Sequence, residues 1–202
     1  QAMVFHDYDL DRLTRETGPV LARGAAELSG IRLGQGDDGV PTLSEMLELV
    51  AGRVPLLIEL KDQHGALGVT DGTLEQSVAR DLEHYAGPCA VMSFNPNMVA
   101  ELSASLPHIP RGLVTCEFDA QDWSHVPEAT RARLRDIPDV ERVGASFISH
   151  HARDLGRARV QELRAGGLPV LCWTIRSHAE EQEARRMSDN ITFEGYEARL
   201  PA

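Results

Sequence analysis

Glu59 and Lys61 stand at the end of the run Pro55-Leu56-Leu57-Ile58-Glu59-Leu60, which is otherwise apolar. In a strand, the two-residue period places both on one face together with Leu57. If that strand belongs to a parallel sheet covered by helices, its carboxyl end opens where such folds bind ligands. A carboxylate there can hold a hard cation, and an ammonium group can face an anion. A structural ion pair at a barrel rim is the plainer reading of the same two residues. His6 and Asp7 follow Ala2-Met3-Val4-Phe5, which reads as a short strand delivering them into a polar loop through Asp11, Arg12 and Thr14. Histidine exchanges protons near neutral pH, although a histidine that only caps a loop needs no such role. Phe94, after Ser93, and Trp173, between Cys172 and Thr174, end two more strand-like runs. Each aromatic alone reads as core packing as readily as a wall of a binding groove.

Other patterns fail on inspection. Gly34-Gln35-Gly36-Asp37-Asp38-Gly39 has the letters of a dinucleotide fingerprint, but Asp37 and Asp38 stand where a pyrophosphate must approach, and no strand precedes the segment. It reads as a turn. Asp7, Asp9 and Asp11 have the first spacings of a calcium-binding hand, but Arg12 replaces the turn glycine and Gly18 the closing glutamate. Asn190-Ile191-Thr192 is a glycosylation sequon inside a predicted strand.

Short apolar runs, predicted as strands starting near residues 55, 89, 110, 144, 169 and 190, alternate with segments of helical period. They lack clean alternation, as expected of strands buried on both faces of a parallel sheet. Capping boxes at Thr42/Glu45, Thr73/Gln76 and Ser177/Glu180, an N-cap at Asn95 followed by Pro96, and Gly166-Gly167 as a stop mark the helix ends. Residues 28–40 and 117–126 read as loops. The strict alternation fits an open doubly wound sheet or a closed barrel, but a (β/α)8 barrel typically needs about 250 residues. With 202 residues the chain is about two strand units short.

Length and 42% hydrophobic content suit one domain across residues 1–202 with a sizeable core. Twenty Lys and Arg against 31 Asp and Glu give a net charge of −11, which argues against nucleic acid and against membrane surfaces as partners. No apolar run reaches the roughly 18–20 residues of a membrane span, and no signal segment opens the chain. Cys89, Cys116 and Cys172 are odd in number and widely spaced, which points to reduced thiols and a cytoplasmic protein. The first residue is Gln1 rather than Met.

Taken in order, His6-Asp7 with Leu10-Asp11-Arg12-Leu13-Thr14 and Thr17-Gly18, Pro41-Thr42-Leu43, Ile58-Glu59-Leu60-Lys61, Met92-Ser93-Phe94-Asn95-Pro96 and Trp173-Thr174 resemble the successive signature blocks of the glycerophosphodiester phosphodiesterases. The resemblance spans essentially the whole chain. It implies a (β/α)8 TIM barrel of the phospholipase C-like phosphodiesterase type that hydrolyses glycerophosphodiesters to sn-glycerol 3-phosphate and an alcohol with a divalent cation, Mg2+ or Ca2+. By position, His6 resembles a catalytic histidine, Lys61 a phosphate-facing catalytic cation, Glu59 a metal ligand, and Phe94 and Trp173 walls of the substrate groove.

The family's opening His-Arg block and its Glu-x-Asp metal pair would lie upstream of Gln1, so the barrel is expected to be incomplete at its N-terminus by about two strand units. One carboxylate seldom holds magnesium or calcium, so the segment by itself is expected to have little activity. The competing expectations are a non-catalytic barrel that binds phosphate or glycerol, and a lysophospholipase D-like or sphingomyelinase D-like lipid phosphodiesterase. With ten aromatic residues and no amphipathic membrane-binding segment, the lipid enzyme ranks lower.

Overall fold

The computed structural model describes residues 1–199. The described chain divides into two compact units, residues 1–56 with 71–89, and residues 57–70 with 90–199. The first holds helices α1 (Ala25–Gly30), α2 (Leu43–Val50) and α3 (Thr73–Leu82). Its core is Leu10, Leu28 and Val40, with Met3, Phe5, Val20, Ile31 and Leu33 packed around them. The capping box of α2 forms as its sequence requires: Thr42 Oγ1 accepts from Glu45 N at 3.2 Å, and Glu45 Oε2 accepts from Thr42 N at 2.8 Å. Two expectations in this unit are corrected. Ala2–Phe5 is not a strand; Met3 makes one antiparallel bridge to Thr42, and Pro41, having no N–H, cannot extend a ladder there. Helix α3 is capped not by Thr73 but by Gly72 in the left-handed region (φ 76°), with Thr73 N donating to Asp71 Oδ1 at 2.9 Å. The glycine-rich segment is a turn, closed by Leu33 N donating to Asp38 O and by the Arg32–Gly39 bridge.

Apart from the first residues of two strands, the sheet belongs to the second unit. Its strands are β1 (Leu56–Glu59), β2 (Cys89–Ser93), β3 (Arg111–Thr115), β4 (Phe147–His151), β5 (Val170–Ile175) and β6 (Asn190–Phe193). The intervening helices are α4 (Pro96–Ser105), α5 (Glu128–Arg135), α6 (Ala158–Ala165) and α7 (His178–Met187). The run expected from Gly144 becomes a strand only at Phe147. Residues before it turn, with Gly144 N donating to Glu141 O and Gly144 at φ 59°, and pairing resumes at Ser146 N, which donates to Arg111 O.

The strands lie in sequence order, β1-β2-β3-β4-β5-β6, and each pairing from β2 to β6 is parallel. An open doubly wound sheet reverses its strand order at a switch point. No reversal occurs among the described strands, so the winding is that of a (β/α) barrel. The sheet buries both faces at its centre. Leu113, Ile148, Val170 and Cys172 pack against Val160 of α6 and Ala184 of α7 on the helix-covered face, while Met92, Val114 and Phe147 cluster on the other. The edge strands are more open, with Leu57 41% and Phe193 46% exposed. No helix among the described residues is long and apolar enough to cross a membrane.

Gly112 pairs with Met92 on one side and Phe147 on the other. A Cβ at this position would lie 2.2 Å from the Phe147 ring, so the missing side chain is what admits the phenyl group to this row. Gly112→Ala is expected to destabilise the second unit by about 1–3 kcal/mol, as overpacking does, and denaturant titration measures it.

His150 points to the helix-covered face, fully buried, with Nδ1 2.8 Å from Thr115 Oγ1 and Nε2 3.3 Å from Asp154 Oδ2. Burial drives its pKa down to about 4, and Asp154 offsets this only in part. Above pH 6.5 the ring is neutral in folded and unfolded chains alike. Between pH 6.5 and 4 the unfolded chain takes up a proton that the folded one refuses, so stability falls as the pH falls. The loss is expected to reach about 3 kcal/mol, and a variant with His150→Gln should have a flatter stability profile across this range.

Candidate active site at the carboxyl ends of the strands

The site begins with how β1 ends. Leu60 N donates to Met92 O at 2.8 Å, and Ser93 Oγ donates to Leu60 O at 2.8 Å. Two residues on, the buried Asp62 carboxylate accepts from Asn95 Nδ2 at 2.7 Å and from Leu67 N at 3.1 Å. Asn95 Nδ2 also donates to Gly68 O at 2.8 Å, while its Oδ1 caps α4 by accepting from Asn97 N. Leu60 and Asp62 are thus pinned towards β2 and α4, and strand alternation sends Glu59 and Lys61 to the opposite face. There Lys61 Nζ donates to Glu59 Oε1 at 2.8 Å, with both side chains about one-quarter exposed (25% and 24%). The expectation that these two share a face at a strand end is met. The clamp of Asp62, Ser93 and Asn95 was not foreseen as a unit. Its sequence signal is an aspartate directly after Lys61, together with polar residues at alternate positions around Phe94.

Phe94 and Trp173 also come together. Their ring centroids are 5.5 Å apart at 85°. Trp123, from the loop after β3, packs 4.8 Å from Phe94, and His151, at the end of β4, lies 4.8 Å from Trp173. Trp173 Nε1 donates to Ser149 O at 3.0 Å, which fixes the indole over β4. Burial lowers the proton affinity of His151. Ser149 lies between Val114 and Leu171 in the row below, and its fully buried hydroxyl has no hydrogen-bond partner. Trp123 and His151 were missed by the sequence reading. Trp123 lies in a segment read as featureless loop, and His151 follows a second histidine that alternation turns the other way.

His6 belongs to the first unit, where its Nδ1 lies 2.6 Å from Asp7 Oδ1. Arg12 grips the same carboxylate with two donors, Nε to Oδ2 at 2.7 Å and Nη2 to Oδ1 at 2.6 Å. This guanidinium, helped by His6, holds the Asp7 pKa at about 2. An Asp7 carboxylate that accepts from Nδ1–H leaves Nε2 as the outer ring nitrogen, with 71% of the His6 side chain exposed. Asp7 and Arg12 therefore act as orienting groups for the histidine.

The fit of a metal can be judged on the donors. Glu59 is an oxygen ligand of the type Mg2+ or Ca2+ takes, but Lys61 already engages one of its oxygens. Among the described residues no three His, Cys, Asp or Glu side chains are grouped to hold a metal ion. The donor type fits and the donor number does not, so the described residues by themselves do not make a complete centre. Asp7, Asp9 and Asp11 do not converge as a calcium loop either: Asp7 is held by Arg12, and Asp11 accepts from Gly18 N at 3.1 Å.

No curated protein sequence matches the chain. Among solved structures, it is similar to a phosphodiesterase from Oleispira antarctica in complex with the product sn-glycerol-3-phosphate, with 22% identity over 95% of this chain and 74% of that one, at a TM-score of 0.76. Glycerophosphodiester phosphodiesterases from Agrobacterium tumefaciens (24% identity, 95% and 77% covered, TM-score 0.64) and Thermotoga maritima (16%, 95% and 74%, 0.66) are likewise similar. These likenesses establish the barrel-type fold. The model of the glycerophosphoryl diester phosphodiesterase family matches residues 1–190, through both units. The chain therefore belongs to the glycerophosphoryl diester phosphodiesterase family, and it is an enzyme of phosphodiester hydrolysis.

Proposed function

We propose that the chain hydrolyses glycerophosphodiesters to sn-glycerol 3-phosphate and an alcohol. In this reading residues 1–202 form one catalytic domain, with His6 as acid or base, Lys61 as a fixed positive charge on the phosphate, Glu59 as one oxygen ligand of a divalent cation, and Phe94 and Trp173 as walls of the groove. The observation that carries the reading is the Lys61–Glu59 pair at the carboxyl end of β1, inside a family match that runs without interruption through His6 and Trp173. The Oleispira enzyme's complex with sn-glycerol-3-phosphate supports the choice of product.

A phosphodiester is anionic and repels nucleophiles, so a site must supply positive charge to the non-bridging oxygens and a proton to the departing alkoxide. Lys61 suits the first task because Glu59 holds its ammonium in place. His6 suits the second because Asp7 holds one ring nitrogen and leaves the other open to substrate. Asp7 stays ionised down to about pH 2, so its carboxylate remains an anionic partner for the ring over a wide pH range. Family members generally use a divalent cation, and when bound it would add positive charge beside the phosphate. The three cysteines are unpaired, which supports a reducing compartment such as the cytoplasm.

Release of sn-glycerol 3-phosphate from a glycerophosphodiester is the direct assay. Lys61→Met is expected to lower kcat/KM by roughly 100-fold or more, with little change in melting temperature, because a partly exposed ion pair contributes at most about 1 kcal/mol. Asp7→Asn, which leaves His6 without its anionic partner, is expected to lower kcat by roughly 100-fold while the far-ultraviolet spectrum stays as it is. Glu59→Ala should abolish the response of the rate to added Mg2+ or Ca2+ and to EDTA; wild-type rates in that variant would remove Glu59 from the metal role.

A further inference from the structure

Lys61 is the only lysine in the chain; every other residue in its count of Lys and Arg is an arginine. Its ammonium stands at the end of a flexible four-carbon stem, so where that charge falls depends on how firmly the backbone beneath it is held. β1 ends at Glu59. Past it, one main-chain bond, from Leu60 N to Met92 O, gives way to side-chain bonds. Ser93 Oγ donates to Leu60 O at 2.8 Å and accepts from Asn95 N at 3.1 Å. Gln63 Nε2 donates to Lys61 O at 2.7 Å. The Asp62 carboxylate divides its oxygens between Asn95 Nδ2 and Leu67 N. The same Asn95 nitrogen reaches Gly68 O, and Asn95 Oδ1 accepts from Asn97 N at 2.9 Å. Asp62, Ser93 and Asn95 are all buried. Every polar atom of the Asp62 and Asn95 side chains thus has a partner, and the residues on either side of Lys61 are both anchored.

We propose that Asp62 and Asn95 are positioning residues of the hydrolysis: through the backbone of Lys61 they set where its ammonium meets the phosphate, and turnover depends on them more than substrate binding does. This role rests on the diesterase reading above and adds two residues to it. A charge aimed at the phosphate counts most where negative charge develops in the transition state, and a displacement of about 1 Å can cost roughly 100-fold in rate. Binding of the ground state draws on contacts along the whole diester and is less sensitive. The pairing of an acid with an amide also has a property that a packing contact lacks: donor and acceptor can be exchanged. With the amide at position 62 and the carboxylate at position 95, the amide still accepts from Leu67 N and donates to the carboxylate. The carboxylate still accepts from Asn97 N, and Gly68 O keeps its second donor, Asn97 Nδ2, at 2.9 Å. With Asp62→Asn alone, an amide hydrogen meets another donor on one side or the other. With Asn95→Asp alone, two carboxylates meet.

The sole lysine makes the test specific. In protein grown with isotope-labelled lysine, a single ε-methylene resonance reports the mobility of Lys61 on the picosecond to nanosecond scale, and release of sn-glycerol 3-phosphate from glycerophosphocholine gives kcat and KM. Asp62→Asn is expected to raise that mobility and to lower kcat roughly 10- to 100-fold, with KM within about threefold of the unsubstituted chain. Asn95→Asp should do the same. The double exchange, D62N with N95D, should restore the mobility and bring kcat back to within about threefold, a coupling that independent sites do not show. Rates are taken per folded molecule, from the circular dichroism of each variant, so a loss of stability alone registers as no change. Single variants that keep both the Lys61 mobility and kcat, or a double exchange that folds yet stays as slow as they are, would overturn the proposal. Turnover that ignores Asp62→Asn would do so while leaving the diesterase reading intact. A Lys61 resonance that follows the three variants as described, in a chain that releases no sn-glycerol 3-phosphate, would support the anchoring and overturn that reading instead.

Discussion

Asp62 and Asn95 fix the end of β1, and the placement of the charged pair depends on that bond. A strand offers two faces at a period of two residues, so anchoring Asp62 towards α4 commits Glu59 and Lys61 to the other face. The bond is between buried groups, at 2.7 Å, and Asn95 uses its remaining donor on Gly68 O and its oxygen on the first turn of α4. A buried polar network of this kind is stable only when complete. Removing one member leaves a desolvated partner behind, and at this place it would also release the loop that carries Lys61 away from the strand. The clamp sets the face of Glu59 and Lys61 from the other side of the strand.

The same constraint explains why neighbouring histidines differ so much. His150 and His151 are adjacent, yet alternation puts His150 among helices, fully buried and bonded to Thr115 and Asp154, and puts His151 against Trp173 on the opposite face. Both lose proton affinity to burial, but only His151 joins the ring contacts of Trp173. Adjacent residues of identical type thus serve structure and site separately, and nothing in their composition distinguishes them. Only the register of β4 does.

That register marks the boundary of what the sequence made legible. The six strands were readable because each is a short apolar run between helix signals, and four of them, β2 to β5, are largely buried on both faces. The caps of α2, α4 and α7 were readable because Thr42, Asn95 and Ser177 hydrogen-bond over three residues or fewer. Where the reading slipped, the deciding group lay elsewhere in the chain or in the backbone: Pro41 stops a ladder that Ala2–Phe5 would otherwise form, and Gly72 replaces Thr73 as a cap through a positive φ. The pairing of Glu59 with Lys61 follows from local period alone. The contacts of Trp123 with Phe94 and of His151 with Trp173 join residues that are far apart in sequence or lie on different strands, and no local pattern encodes them.

Electrostatics gives the site its remaining logic. A net charge of −11 spread over the surface is screened within about 8 Å at physiological salt, so it weakens long-range capture of an anionic diester far more than it weakens contact once the diester is bound. Contact is governed by what stands within a few ångströms. Lys61 is one ammonium held by one carboxylate, and on the proposed reading a phosphate oxygen reaching it would compete with Glu59 Oε1. On the proposed reading, Glu59 both positions the Lys61 ammonium and limits its availability to a phosphate oxygen. On this argument Glu59 and Lys61 act as a coupled pair, and the cost of losing either depends on whether the other is present.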